Sequence, residues 1–135
     1  MPKTWQEKFN SAKQPIVKTI EKRFADLTEG TKMFIASPKL IDVYINEIPE
    51  GVSVDLKTMR LDLAIEHQAD NSCPVTTGIF LRIVSEVAFE NYQKTKNSNS
   101  ITPFWRVVDT KMPIAKKLSC GIDFINNQRK KEGLS

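Results

Sequence analysis

Two cysteines, Cys73 and Cys120, and a single histidine, His67, are the side chains here best suited to nucleophilic or metal chemistry. No Cys-x-x-Cys spacing occurs, and one histidine cannot complete a Cys/His zinc set, so no metal is expected. Cys73 lies in Ser72-Cys73-Pro74-Val75-Thr76-Thr77-Gly78, just ahead of an apolar periodic stretch. If a helix starts there, its free N–H groups and the hydroxyls of Ser72, Thr76 and Thr77 form a natural place for a phosphate. The same helix end would stabilise a Cys73 thiolate. The competing reading is structural: Ser72 or Thr76 caps the helix and Cys73 is a small buried apolar group. An enzyme using Cys73 with His67 would need the two side by side, and no sequence feature puts them there. Reduced, mostly buried thiols are expected.

A second group is Phe104-Trp105-Arg106. Adjacent aromatics can stack on a flipped or single-stranded base. The favoured alternative is core packing, with Arg106 tethering nearby backbone. A third group is cationic: Lys94, Lys96, Arg106, Lys111, Lys116 and Lys117, with Arg82 on the helix after Ser72. These suit phosphate contacts or a solvated surface. Arg129, Lys130 and Lys131 suit the C-terminal end of a helix and need no ligand.

Charge is unevenly distributed along the 135 residues, whose net charge is +4. Residues 1–41 carry eight Lys/Arg against four Asp/Glu, residues 42–90 three against nine, and residues 91–135 nine against three. An anion-binding surface must therefore draw on the two ends of the chain. Asp55, Asp62, Glu66 and Asp70, then Glu86 and Glu90, oppose phosphate around the middle. Hydrophobic residues make up 40% and charged residues 27%, which argues against wholesale disorder. No apolar run approaches membrane-spanning length, and the N-terminus lacks the apolar stretch of a secretory signal, so a cytoplasmic protein with no membrane partner is expected.

Local patterns suggest which elements carry these groups. Thr4-x-x-Glu7 is a capping-box spacing for a first helix, with Trp5 and Phe9 on one face. Pro15 predicts a second short helix, with Ile16, Ile20 and Phe24 four apart, ended by Gly30; Met33 to Ile35 reads as a short strand. Ser37-Pro38 opens a helix through Leu40, Ile41, Tyr44, Ile45 and Ile48, stopped by Pro49. Val52 to Val54 reads as extended. Asp55 caps the next helix, with Leu56, Met59, Leu63 and Ala64 inward. Residues 69–72 read as a turn. The longest helix follows Pro74, with Ile79, Phe80, Ile83, Val84 and Val87 inward and Tyr92 near its end. Residues 94–100 read as a polar loop and 101–108 as an edge or irregular strand. A last helix runs from about Gly121 to Gly133, with Ile122, Phe124 and Ile125 inward.

Several stretches in order resemble the C-terminal domain of the alkylguanine-DNA alkyltransferases (methylated-DNA–protein cysteine methyltransferases) and the alkyltransferase-like proteins. Val43 to Gly51 matches a helix followed by Ile-Pro-x-Gly, and Leu63-Ala64 matches the Ile-Ala that ends a short helix. Thr77 to Leu81 matches a recognition helix with an early glycine. Pro103-Phe104-Trp105-Arg106-Val107 matches the active-site segment, Pro-Cys-His-Arg-Val in the enzymes and Pro-Trp-His-Arg-Val in many alkyltransferase-like proteins. Glu132-Gly133 matches the end of the closing helix. The match covers residues 38–135, and the whole chain is also similar to a group of small bacterial proteins loosely classed with this family.

The departures decide what the resemblance implies. Alkyl transfer needs a thiolate, and the family's histidine relays its proton. Phe104 stands at the cysteine position and Trp105 at the histidine. Arg60 or Leu61 stands at the base-flipping tyrosine, after an interval from Gly51 to Ala64 longer than the family's, and Val75 stands at the intercalating arginine. The expectation is a mainly α fold with a small β component: an N-terminal helical extension over residues 1–37, then a winged-helix or helix-turn-helix domain over residues 38–135. It implies a non-enzymatic DNA-binding monomer without cofactor, with DNA repair or damage recognition as the associated role. Ser72, Thr76, Thr77, Arg82, Lys94, Lys96, Arg106, Lys111 and Lys116 would contact nucleic acid, and Phe104, Trp105 and Arg60 would line the pocket. The alternative is a protein-interaction module that keeps the fold, has lost DNA binding, and meets a basic partner through its acidic middle.

Overall fold

A computed structural model describes residues 3–11 and 13–134, and the chain is mainly helical with a small three-stranded sheet. Helix α1 (Trp5–Ser11) begins with the reciprocal cap its sequence predicts. The Glu7 amide donates to Thr4 Oγ1 at 3.1 Å, and the Thr4 amide to Glu7 Oε1 at 3.0 Å. Strands β1 (Ile16–Thr19) and β2 (Lys32–Ile35) pair antiparallel, from Ile16 opposite Ile35 to Thr19 opposite Lys32. The expected helix after Pro15 is thus a strand. A spacing of four fits period 2 as well as period 3.6, and the β-branched Ile16, Val17 and Thr19 favour the extended form. The N-terminal third therefore carries one helix and a hairpin, not helices alone.

Helix α2 (Pro38–Asn46) starts at its Ser37 cap, whose hydroxyl accepts from the Leu40 amide. Helix α3 (Leu56–Glu66) starts at Asp55, whose carboxylate accepts from the Thr58 amide at 2.7 Å. Between α3 and the next helix the expected turn contains a third strand, β3 (Asn71–Ser72). It pairs parallel with β2, Met33 opposite Asn71 and Phe34 opposite Ser72. Asp70 extends the seam, its carboxylate accepting from the Lys32 amide at 2.8 Å and its own amide donating to the Lys32 carbonyl.

Helix α4 (Pro74–Thr95) is the long central helix. It extends into the expected loop and ends at Lys96 in a left-handed conformation (φ 56°), and Ser98–Ser100 form a 3₁₀ turn. Leu81, Ile83, Val84, Val87 and Ala88 are buried, but Ile79, expected inward, is 53% exposed. The helix is covered on more than one side, by α1, by α2 and by the Phe104–Arg106 turn, so its buried set is not a single stripe.

The expected strand over 101–108 is absent. Phe104–Arg106 is a 3₁₀ turn, and Pro103, Phe104, Trp105, Val107 and Val108 are all buried, where a half-buried strand would alternate. The described residues therefore form no wing hairpin there. The short helix α5 (Pro113–Lys117) and helix α6 (Gly121–Lys131) close the fold. In α6, Ile125 is fully buried and Phe124 half-buried, whereas Ile122, expected inward, is exposed. The main core joins Phe34, Ile41, Ile45, Met59, Leu63, Leu81, Phe104 and Ile125; a smaller cluster joins Ile20, Leu27, Met33 and Cys73. No helix of the described residues is long and apolar enough to cross a membrane.

Candidate nucleic-acid interface and a closed aromatic pocket

In the segment that resembles the alkyltransferase active site both aromatic rings are buried, while Pro103, Trp105 and Arg106 border a polar cavity of about 290 Å³ with Asn46, Glu50 and Glu132. Phe104 is fully buried and Trp105 nearly so. The Phe104 ring stacks on Phe124 of α6 (6.1 Å between centroids, 15° between planes), and Trp105 meets both Phe104 and Phe124 edge-on at 5.4 and 6.2 Å. Both aromatics are buried in the core they share with Leu81 and Val84 of α4, the turn that carries them contacts that helix, and their ring partner is Phe124 of α6.

Glu132, the C-cap residue of α6, organises the polar atoms of this segment. Its carboxylate accepts from Trp105 Nε1 at 2.6 Å, from Arg106 Nε at 2.8 Å and Nη2 at 3.1 Å, and from the Gly51 amide at 3.0 Å. Arg106 Nη1 donates to the Ile48 carbonyl at 2.7 Å. Burial pushes the Glu132 carboxyl up, but the hydrogen bonds from Arg106, Trp105 and Gly51 outweigh it and hold its pKa below the ordinary value. Arg129 Nη1 donates to the Trp105 carbonyl at 2.7 Å. Arg106 is therefore a structural tether, with its guanidinium already engaged on two sides, and is poorly placed to hold a phosphate.

Arg60, the other expected pocket residue, is committed as well. Its Nη1 and Nη2 each lie 2.8 Å from the Asp26 carboxylate, and its Nε and Nη2 donate to the Ser72 carbonyl at 3.2 and 3.1 Å. Ser72 Oγ returns a bond to the Arg60 carbonyl at 2.7 Å. The Arg60 hydrogen bonds hold the Asp26 carboxyl below its usual range. Ser72 is fully buried, and the Thr76 and Thr77 hydroxyls are buried without a hydrogen-bond partner. The hydroxyls at the start of α4 thus face inward and present nothing to a phosphate outside. Cys73 is the cap residue: its Sγ accepts from the Thr76 amide at 3.5 Å. His67 stacks on Phe34 at 4.1 Å with Nδ1 2.9 Å from the Leu63 carbonyl. No described bond joins Cys73 and His67. Burial, then the Glu86 charge, pushes the Cys120 thiol up to about 11, away from reactivity.

What α4 presents outward is different. Val75 and Ile79, one turn apart, are both about half exposed and border a groove with Gly78, Arg82, Ile114 and Lys117. Arg82 donates to the Lys117 carbonyl at 3.3 Å, lies 5.1 Å over the Trp5 ring and is 3.8 Å from Glu86. On the other side of the helix start, Lys18, Lys22 and Arg23 line a cavity with Met33 and Cys73, against one carboxylate, Glu21. The sequence motifs do not single out these three cations; the basic excess of residues 1–41 is the signal that points to them. Lys111 and Lys116 are exposed near the Lys117 side. Lys94 and Lys96 are exposed at the far end of α4, about 30 Å from Thr76 at 1.5 Å per residue. The nine expected contact residues thus do not form one site. Arg82 borders the groove beside the first half of α4 but is itself engaged by the Lys117 carbonyl, Trp5 and Glu86; Lys111 and Lys116 are exposed, and Lys94 and Lys96 lie at the far end of α4.

No protein-family model, no curated protein and no solved structure matches this chain.

Proposed function

We propose that this protein is a non-enzymatic nucleic-acid-binding module of alkyltransferase-like type, docking through the first half of α4. The observation that carries this reading is that cations from three parts of the chain border the start of α4 and the groove along its first half. Lys18, Lys22 and Arg23 flank its start, and Arg82 and Lys117 flank the groove beside Val75 and Ile79. The helix-turn-helix order of α3 and α4 supports it, as does the placing of Asp62 and Glu66 in a separate groove. A role in damage recognition and a cytoplasmic location belong to the same reading.

Alkyl transfer is not part of it, because Phe104 and Trp105 can neither accept an alkyl group nor relay a proton. Incubation with labelled methylated DNA is expected to leave the protein unlabelled; stoichiometric label on Cys73 or Cys120 would overturn this. Binding to duplex and single-stranded DNA across a salt series tests the interface. A few phosphate contacts give a log–log slope of about −3 to −5. Absence of binding even at low salt would favour the module that has lost its DNA face.

A further inference from the structure

We propose a second docking surface, independent of the nucleic-acid reading: the acid-walled groove between the end of α2 and α3 receives a cationic amphipathic helix from a partner protein. The groove is open, with a volume of about 420 Å³, enough for a few aliphatic side chains. Ile48, Val52 and Ile65 give it an apolar part of its lining and Glu47, Asp62 and Glu66 an acidic part; no lysine or arginine lines it. Ile65 is 67% exposed, more than any other large hydrophobic residue described, and Leu61, one turn earlier on the same helix, is 43% exposed. Isolated exposed apolar side chains are ordinary, but a run of them beside a concavity marks an interaction site.

Charge selects the occupant. The Tyr44 hydroxyl donates to Asp62 Oδ2 at 2.5 Å inside the groove. Burial, and then Asp62, Glu66 and Asp55, push ionisation of that phenol upward, as expected where carboxylates crowd one site. Such a wall repels nucleic acid and acidic peptides and attracts lysine and arginine. Apolar and acidic groups lining one groove match a helix with apolar residues at i, i+3, i+4 and i+7 and cations on its flanks.

The probe is a fluorescent leucine–lysine peptide with leucines at that spacing, beside a scrambled peptide of the same composition. Saturable binding of the amphipathic peptide is expected, weakened about tenfold or more by Ile65→Ser with Glu66→Lys, equivalent to about 1.4 kcal/mol. Both positions are exposed, so the melting temperature should hold, and Val52→Ser supplies a second variant. The same variants should bind DNA as the parent does, which separates this surface from the α4 face. Three results would overturn the proposal: equal binding of the scrambled peptide, equal loss from Lys116→Glu with Lys117→Glu, or occupation of the groove by a second copy of the chain, seen as a dimer that Ile65→Ser dissociates.

Discussion

The segment from Pro103 to Val108 and the first half of α4 lie against the same core and have opposite polar accounting. In the segment, polar side chains are matched inside the molecule: the Trp105 N–H and the Arg106 guanidinium find Glu132, and Arg106 also finds the Ile48 carbonyl. Along α4, the inward Thr76 and Thr77 hydroxyls go unmatched while outward positions carry apolar and cationic groups. A group whose hydrogen-bonding capacity is met internally offers little to a ligand, since recruiting it would break a buried bond first. The Pro103–Val108 segment is therefore a structural keystone, and on the proposed reading a ligand meets the outward face of the helix beside it, not these buried groups.

Trp105→Ala tests that contrast most severely. Loss of a buried indole and of its bond to Glu132 is expected to cost about 3–5 kcal/mol, measured by urea unfolding. DNA binding of the folded fraction should persist. Unchanged stability with abolished binding would replace packing by base stacking.

Glu132→Gln keeps the shape and removes the charge. A cost of about 1.5–3 kcal/mol is expected from hydrogen bonds that lose their charged acceptor. The pH dependence has a definite sign. The folded carboxyl titrates below its ordinary 4.5, so its contribution is complete above that pH and is lost as pH falls through the lower folded value. The variant should unfold less steeply in acid than the parent. An identical acid transition would show that Glu132 does not carry the linkage.

Arg82→Ala with Lys117→Ala addresses the other region. Its affinity for DNA should fall about tenfold and the salt slope should shrink by about 2; stability should fall as well, because Arg82 pairs with the buried Glu86, so binding is compared on the folded fraction. Lys94→Ala with Lys96→Ala should alter affinity less than about twofold, since both sit at the far end of α4 and surface substitutions are nearly neutral. Equal losses from the two pairs would indicate a footprint along the whole helix.

Legibility from sequence followed the range of the interactions. The caps at Thr4, Ser37 and Asp55 are contacts between residues three apart, and each was readable. The β1–β2 hairpin was misread because Ile16 and Ile20 satisfy two periods at once. Ile101 to Val108 alternates well enough in sequence to suggest a strand, but Phe104, Trp105, Val107 and Val108 are buried together around a 3₁₀ turn, which that pattern does not distinguish. For the site, the tethering of Arg106 was legible in kind, but its partner Glu132 lies 26 residues away and no local pattern points to it. The burial of Ser72 depends on Arg60 and on a strand from the N-terminal third, both beyond the reach of a motif.

The parallel pairing of β3 with β2 bears on the order in which the molecule assembles. Lys32 and Asp70 are 38 residues apart, and joining them closes a loop that contains α2 and α3. Closure costs entropy before the seam returns any bond, whereas the turns of α3 and α4 form from neighbours. The helices are thus expected to nucleate and the seam to zip late. Asp70→Ala should then accelerate unfolding and leave the refolding rate nearly unchanged in stopped-flow measurements; a matching loss in the refolding rate would place the seam in the nucleus. On that account the N-terminal hairpin acts as a latch, set after the helix-turn-helix and governing how long it stays closed.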